Sequence, residues 1–141
     1  MKAKLKIKTS QYLDGSDFQT IESYYKGEQI EKNGNIYITF SEFDTSKERS
    51  STIKISDEEV LLLKSGDITS RMKFREDRDF RSKYRTPYGV FDMDLHTYKI
   101  SKRISDKELK LNLDYKISIR GLMDSNNRLE MKVVPEVWYG I

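Results

Sequence analysis

The sequence predicts an all-β fold, an antiparallel meander β-barrel of about ten strands, and three observations carry that prediction. The 141 residues include one alanine, Ala3, against 13 isoleucines, 9 tyrosines, 8 threonines and 6 phenylalanines. Alanine is the best helix former, whereas β-branched and aromatic side chains fit a pleated surface. Apolar and polar residues alternate with a period of two almost throughout. Turn-forming pairs recur between the alternating runs.

The elements follow in order. Over 2–13, Ala3, Leu5 and Ile7 share one face and Lys2, Lys4, Lys6 and Lys8 the other. Asp14-Gly15 turns the chain into a run at 17–32. Asn33-Gly34 is a type I′ hairpin signal, because both central residues of that turn need positive φ, and it leads into 35–44. Runs at 48–56 and 59–65 come next, and Ser65-Gly66 introduces 67–76. Tyr88-Gly89 separates 79–86 from 90–104. Within 90–104 the phase changes: Phe91, Met93, Leu95 and Thr97 lie on one face, then Tyr98, Ile100 and Ile104 take over. A one-residue β-bulge near His96–Lys99 accounts for the switch. The run at 108–121 is the cleanest, with Leu109, Leu111, Leu113, Tyr115, Ile117 and Ile119 on one face and only polar or charged residues on the other. Ser125-Asn126-Asn127 marks the last turn, before 128–138. Short connections make sequence neighbours pair, and closing such a sheet removes its edges. A two-sheet sandwich is the alternative. With no linker, repeat or low-complexity tract, residues 1–141 form one domain.

Composition excludes several function classes. There is no cysteine, hence no disulfide, thiolate nucleophile or Cys-type metal site. No apolar run is long enough to span a membrane, and the lysine-rich start lacks the apolar segment of a signal peptide, so a cytoplasmic location is expected. Net charge is +3 but unevenly distributed: residues 1–13 carry +4, 14–60 carry −6, 61–104 carry +5 and 105–141 balance.

The stretch Tyr84-Arg85-Thr86-Pro87-Tyr88-Gly89-Val90-Phe91-Asp92-Met93, with YYKGEQIEKNGNIYITF and STIKISDEEVLLLKSGDITSRMKF in the same order and spacing, resembles the YwiB-like proteins. The resemblance spans nearly the whole chain and implies a calycin-like barrel, related in shape to lipocalins. That family is a domain of unknown function, so it transfers no catalytic or binding residue.

Three constellations could carry chemistry. Asp92, Asp94 and His96, at alternate positions of one strand face, have divalent-metal chemistry, but His96 is the sole histidine and no second cluster completes a site. The alternative is a solvated face neutralised from the neighbouring strand, Arg85 standing opposite Asp92 and Lys83 opposite Asp94, each pair worth about 0.2–1 kcal/mol. A basic stripe is the second constellation: Arg71, Lys73 and Arg75 share one wet face, and Arg81, Lys83 and Arg85 that of the next strand. It reads as a surface for RNA or an acidic protein, or as charge balanced by Asp79, Asp92 and Asp94. The third is the dry face, where Met72, Phe74, Ser82, Tyr84, Thr86 and Met93 form either an apolar ligand cavity with a few orienting hydroxyls or a filled core. No G-x-S-x-G or P-loop is present and a Ser–His–Asp set would have to use His96, so neither an enzyme nor a cofactor is expected. The function predicted is interior binding of a small apolar or amphipathic ligand. The alternative is an interaction module working through the basic stripe.

Overall fold

A computed structural model describes residues 1–13, 18–44 and 47–136. It contains β1 (Lys2–Leu13), β2 (Phe18–Lys32), β3 (Asn35–Asp44), β4 (Lys47–Ile55), β5 (Val60–Ser65), β6 (Ser70–Phe74), β7 (Asp79–Thr86), β8 (Gly89–Ile104), β9 (Leu109–Ile119) and β10 (Met123–Pro135). All pair antiparallel in one sheet, ordered β6-β5-β4-β3-β2-β1-β10-β9-β8-β7. The first and last strands are therefore neighbours in the middle of the sheet, in register from Ala3↔Pro135 to Leu13↔Ser125. The sheet curls until β6 and β7 meet. They touch through one bridge, Thr69↔Arg85, whose two amides donate to each other's carbonyls at 3.0 and 2.9 Å. Beside it the Ser82 hydroxyl donates to the Arg71 carbonyl at 2.8 Å. The result is a nearly closed barrel. Among the described residues no helix is long and apolar enough to cross a membrane.

The period of two becomes inside and outside. Leu5, Ile38, Phe74, Met93, Leu95, Leu111 and Met131 are fully buried members of one contiguous apolar cluster. Phe74 and Tyr115 meet edge-on across it, ring centroids 4.9 Å apart. Burial drives this closure at about 25 cal/mol per Å² of apolar surface. We call the end where β1 begins the base and the opposite end the rim. At the base, the Lys102 ammonium on β8 donates to the carbonyls of Ser56 and Asp57 in the β4–β5 turn.

Toward the rim the sheet forks. β2 and β3 pair only from Gly27↔Phe40 to Lys32↔Asn35. Above that point, among the described residues, β2 runs beside β1 alone and β3 beside β4 alone. Gly27 stands at the fork because nothing larger fits: a Cβ there would lie 2.3 Å from the Thr39 carbonyl oxygen.

The expected strands agree with those observed except at four places. Ser125-Asn126-Asn127 is strand, and the turn falls at residues 120–122, where Gly121 supplies φ +81° and the Leu122 amide donates to the Ile119 carbonyl at 2.9 Å. The strand expected at 67–76 is shorter, Ser70–Phe74, because residues 66–69 and 75–78 turn around Gly66 and around Asp77 at positive φ. The bulge lies between Thr97 and Lys99, as expected, but Tyr98 is the bulged residue itself and stays outside, donating to Asn126 Oδ1 at 3.2 Å. Ile100 does turn toward the core, whereas Ile104 is exposed at the base. The β7–β8 register differs by two residues: Lys83 faces Asp92, Arg81 faces Asp94, and Arg85 faces Val90. The reason is a tighter, two-residue turn at Pro87-Tyr88, where Thr86 Oγ1 accepts from the Tyr88 amide (3.1 Å) and donates to the Gly89 carbonyl (3.2 Å). A shift of two preserves which face each side chain occupies. The Asp14-Gly15 turn and the last positions of the 128–138 run lie outside the described residues.

Candidate functional site

The inner wall changes character from base to rim. Along β1 it reads Ala3, Leu5, Ile7, Thr9, Gln11, and along β10 Val133, Met131, Leu129, Asn127, Ser125. Both strands pass from apolar to hydrogen-bonding side chains toward the rim, β1 at Thr9 opposite Leu129 and β10 at Asn127 opposite Gln11. Ser125 and Asn127 are buried. Asn127 Nδ2 donates to Ser125 Oγ at 3.0 Å, and Gln11 Nε2 donates to the same oxygen at 3.3 Å. A serine hydroxyl that accepts two bonds can still donate its hydrogen, and each of the two amides keeps an oxygen that can accept. Next to them β2 contributes Ser23, Tyr25 and Ile21, paired with Ile7, Leu5 and Thr9. Ile21 points inward yet is 62% exposed, since the fork has removed β3 from its side. Beyond the fork, Ser51 is buried and Arg49 holds Asp67 through two bonds of 2.7 and 3.0 Å. The fork itself is a groove of about 640 Å³ between Tyr24–Glu28 and residues 39–41 and 50–52. Tyr25 and Phe40 close its floor with ring centroids 4.8 Å apart.

The interior residues singled out from the sequence lie on β6, β7 and β8. Met72, Phe74 and Met93 belong to the packed cluster. Ser82, Tyr84 and Thr86 share the inner face of β7 and are half-buried; Tyr84 packs against the cluster, and the Ser82 and Thr86 hydroxyls are engaged by the backbone as described above. On the inner face of β8 the Thr97 Oγ1 is buried with no hydrogen-bond partner among the described residues. Directly opposite it in register is Tyr115, whose phenol is pushed up to about 12 by burial.

The basic stripe forms as one outer surface across the β6–β7 junction, and carboxylates from flanking elements answer most of it. Lys73 lies 3.3 Å from Glu59 and Arg75 2.8 Å from Glu58. Arg81 grips Asp94 at 2.7 Å, and Lys83 pairs with Asp92. The hydrogen bonds from Lys83 and Arg81 hold the carboxyls of Asp92 and Asp94 below the usual aspartate range. Arg71 and Arg85 are exposed at the junction. The third member of the acidic row, His96, bonds Asp79 through Nδ1 at 2.7 Å. Asp92, Asp94 and His96 thus each take a separate partner on β7. Among the described residues no group of acidic and histidine side chains could hold a metal ion.

Residues 5–131 match the family model described as "Domain of unknown function (DUF1934)". The chain belongs to this family. This DUF1934 chain also superposes on the crystal structure of the ywiB protein from Bacillus subtilis with a TM-score of 0.86 at 18% identity, covering 96% of this chain and 92% of that one. At that identity the likeness shows the shared barrel. The rim residues of the DUF1934 barrel were missed from the sequence because Ser125 and Asn127 look like turn formers. The usable signal was their phase: both lie at odd positions with Leu129, Met131 and Val133, as Thr9 and Gln11 do with Leu5 and Ile7.

Proposed function

We propose that the protein is a non-catalytic binding barrel that takes a small amphipathic molecule at its rim, in a cytoplasmic setting in keeping with its lack of cysteine. The observation that carries this reading is the inward wall of Gln11, Ser125 and Asn127 beside an inward but 62% exposed Ile21. An apolar surface with a few convergent hydrogen-bonding groups is how ligand pockets are built. The hydrogen-bonding end of the molecule meets the Ser125–Asn127 wall, and its apolar part lies against Ile21 and Tyr25. Binding at Met72 and Met93 is disfavoured because both side chains belong to the packed apolar cluster.

Titration with a fluorescent fatty-amide probe tests the proposal. Asn127→Leu removes hydrogen-bonding groups from the wall and is expected to weaken binding about ten-fold, the effect of losing one net hydrogen bond. Met93→Phe is expected to leave affinity intact while lowering stability by about 1–3 kcal/mol through overpacking. Absence of saturable binding by the wild type, or unchanged affinity in Asn127→Leu, would discard this reading.

A further inference from the structure

The fork exposes more than a groove. Over residues 18–26, β2 has a sheet neighbour on one side, β1, and none among the described residues on the other. Alternate amides and carbonyls of that stretch therefore point away from the sheet, the usual template for pairing with another strand. Natural edges are commonly blunted by proline, a bulge, an inward-pointing charge or charged side chains along the edge. Over 18–26 the first three do not occur: Gln19, Ile21, Ser23 and Tyr25 face inward and are uncharged. The outer face of the stretch carries two charges, Glu22 and Lys26, placed symmetrically about Tyr24. Tyr24 is 70% exposed.

We infer that two copies of this chain pair through the free edge of β2, antiparallel and centred on Tyr24. A two-fold axis perpendicular to the sheet keeps inner faces aligned, so residue i can meet only a partner residue of the same parity. Centring on Glu22 sets that carboxylate against its own copy. Centring on Ser23 leaves Lys26 opposite Thr20. Centring on Tyr24 sets Glu22 opposite the second copy's Lys26 and repeats the pair by symmetry, with Tyr24 against Tyr24 between them. It needs only residues 22–26, all of which lie above the fork. Opposite charges and aromatic pairs across strands are stabilising, and like charges there are not. Lys26 is available for this: its side chain is 78% exposed, with its nearest carboxylate, Glu136, at 4.0 Å. Glu22 already holds Lys6 at 2.8 Å on the same surface, and a carboxylate has room for a second cation.

The test is a charge swap read by sedimentation velocity over a concentration series. The wild type is expected to dimerise reversibly. Lys26→Glu and Glu22→Lys each place like charges opposite one another twice and are expected to weaken the dimer about ten-fold or more, and the double swap Glu22→Lys/Lys26→Glu to restore it. Hydrogen exchange gives a readout independent of any variant: amides within 22–26 should gain protection as concentration rises. A wild type that stays monomeric throughout would overturn the inference and leave the edge to a different partner. So would a dimer that neither single variant weakens, or one whose amides 22–26 exchange equally fast at all concentrations.

Discussion

Thr97 carries its hydroxyl to the inner face of the barrel, where Oγ1 finds no partner among the described residues. An unmade hydrogen bond at a buried donor costs roughly 1–3 kcal/mol, and valine keeps the shape while removing the group. Thr97→Val is therefore expected to raise stability by about 1 kcal/mol in urea unfolding; a loss of stability would show that the hydroxyl is satisfied in solution. Its neighbour Tyr115 gives a pH-dependent expectation. The phenol titrates near 12 in the folded chain and near 10 when unfolded. The unfolded state then releases its proton first, so the stabilisation is complete below pH 10 and is lost as pH rises through about 12. On the order of 2–3 kcal/mol should disappear over that interval, and Tyr115→Phe should flatten the decline. Neither feature was legible in the sequence. A threonine or tyrosine in phase with leucines announces an inward position, but not whether its hydroxyl will meet a partner there.

At the scale of elements, the strands were legible because each carries its own period and each turn its own chemistry. The β7–β8 register was legible only to within two residues, since a slip of two leaves every face unchanged and the alternation cannot detect it. The two-residue turn at Pro87-Tyr88 settled it, giving Lys83 to Asp92 and Arg81 to Asp94. That pairing bears on the stripe. With both carboxylates in place, β7 offers polyanions little beyond Arg85, so Asp92→Lys/Asp94→Lys is expected to raise affinity for single-stranded RNA at low salt, in a filter-binding assay whose salt slope steepens. No increase would remove the stripe from consideration as a binding surface. The fork gives a second expectation. Gly27→Ala drives a methyl into the Thr39 carbonyl, so β2 and β3 must part further. A cost of about 1–3 kcal/mol is expected, with faster amide exchange spreading down from Gly27 toward Glu31. The candidate site at the rim stayed hidden at this scale, because Ser125 and Asn127 have the composition of a turn and the phase of a strand.

For the whole molecule, the sequence indicates a meander and a closed sheet, and the sheet order adds how it closes. Two places are weakly joined, β2 against β3 above Gly27 and β6 against β7 around one bridge. They divide the strands into β3–β6 on one side and β7–β10 with β1 and β2 on the other. Local pattern could not show this, since it depends on where strands fail to meet. The pairing of β1 with β10 has a consequence for how the chain acquires its structure. A ribosome delivers β1 first and β10 last, so one side of β1 waits, unpaired, for nearly the whole of synthesis. Cutting the chain at Asp77, in the connection between β6 and β7, and linking Glu136 directly to Met1 beside the Lys2–Glu136 contact would renumber the strands so that every ladder links consecutive elements. Contact order falls while the native contacts stay the same. Stopped-flow refolding of that permutant is expected to outpace the natural chain with little change in unfolding rate, and equal refolding rates would mean that bringing the two ends together is not the slow event.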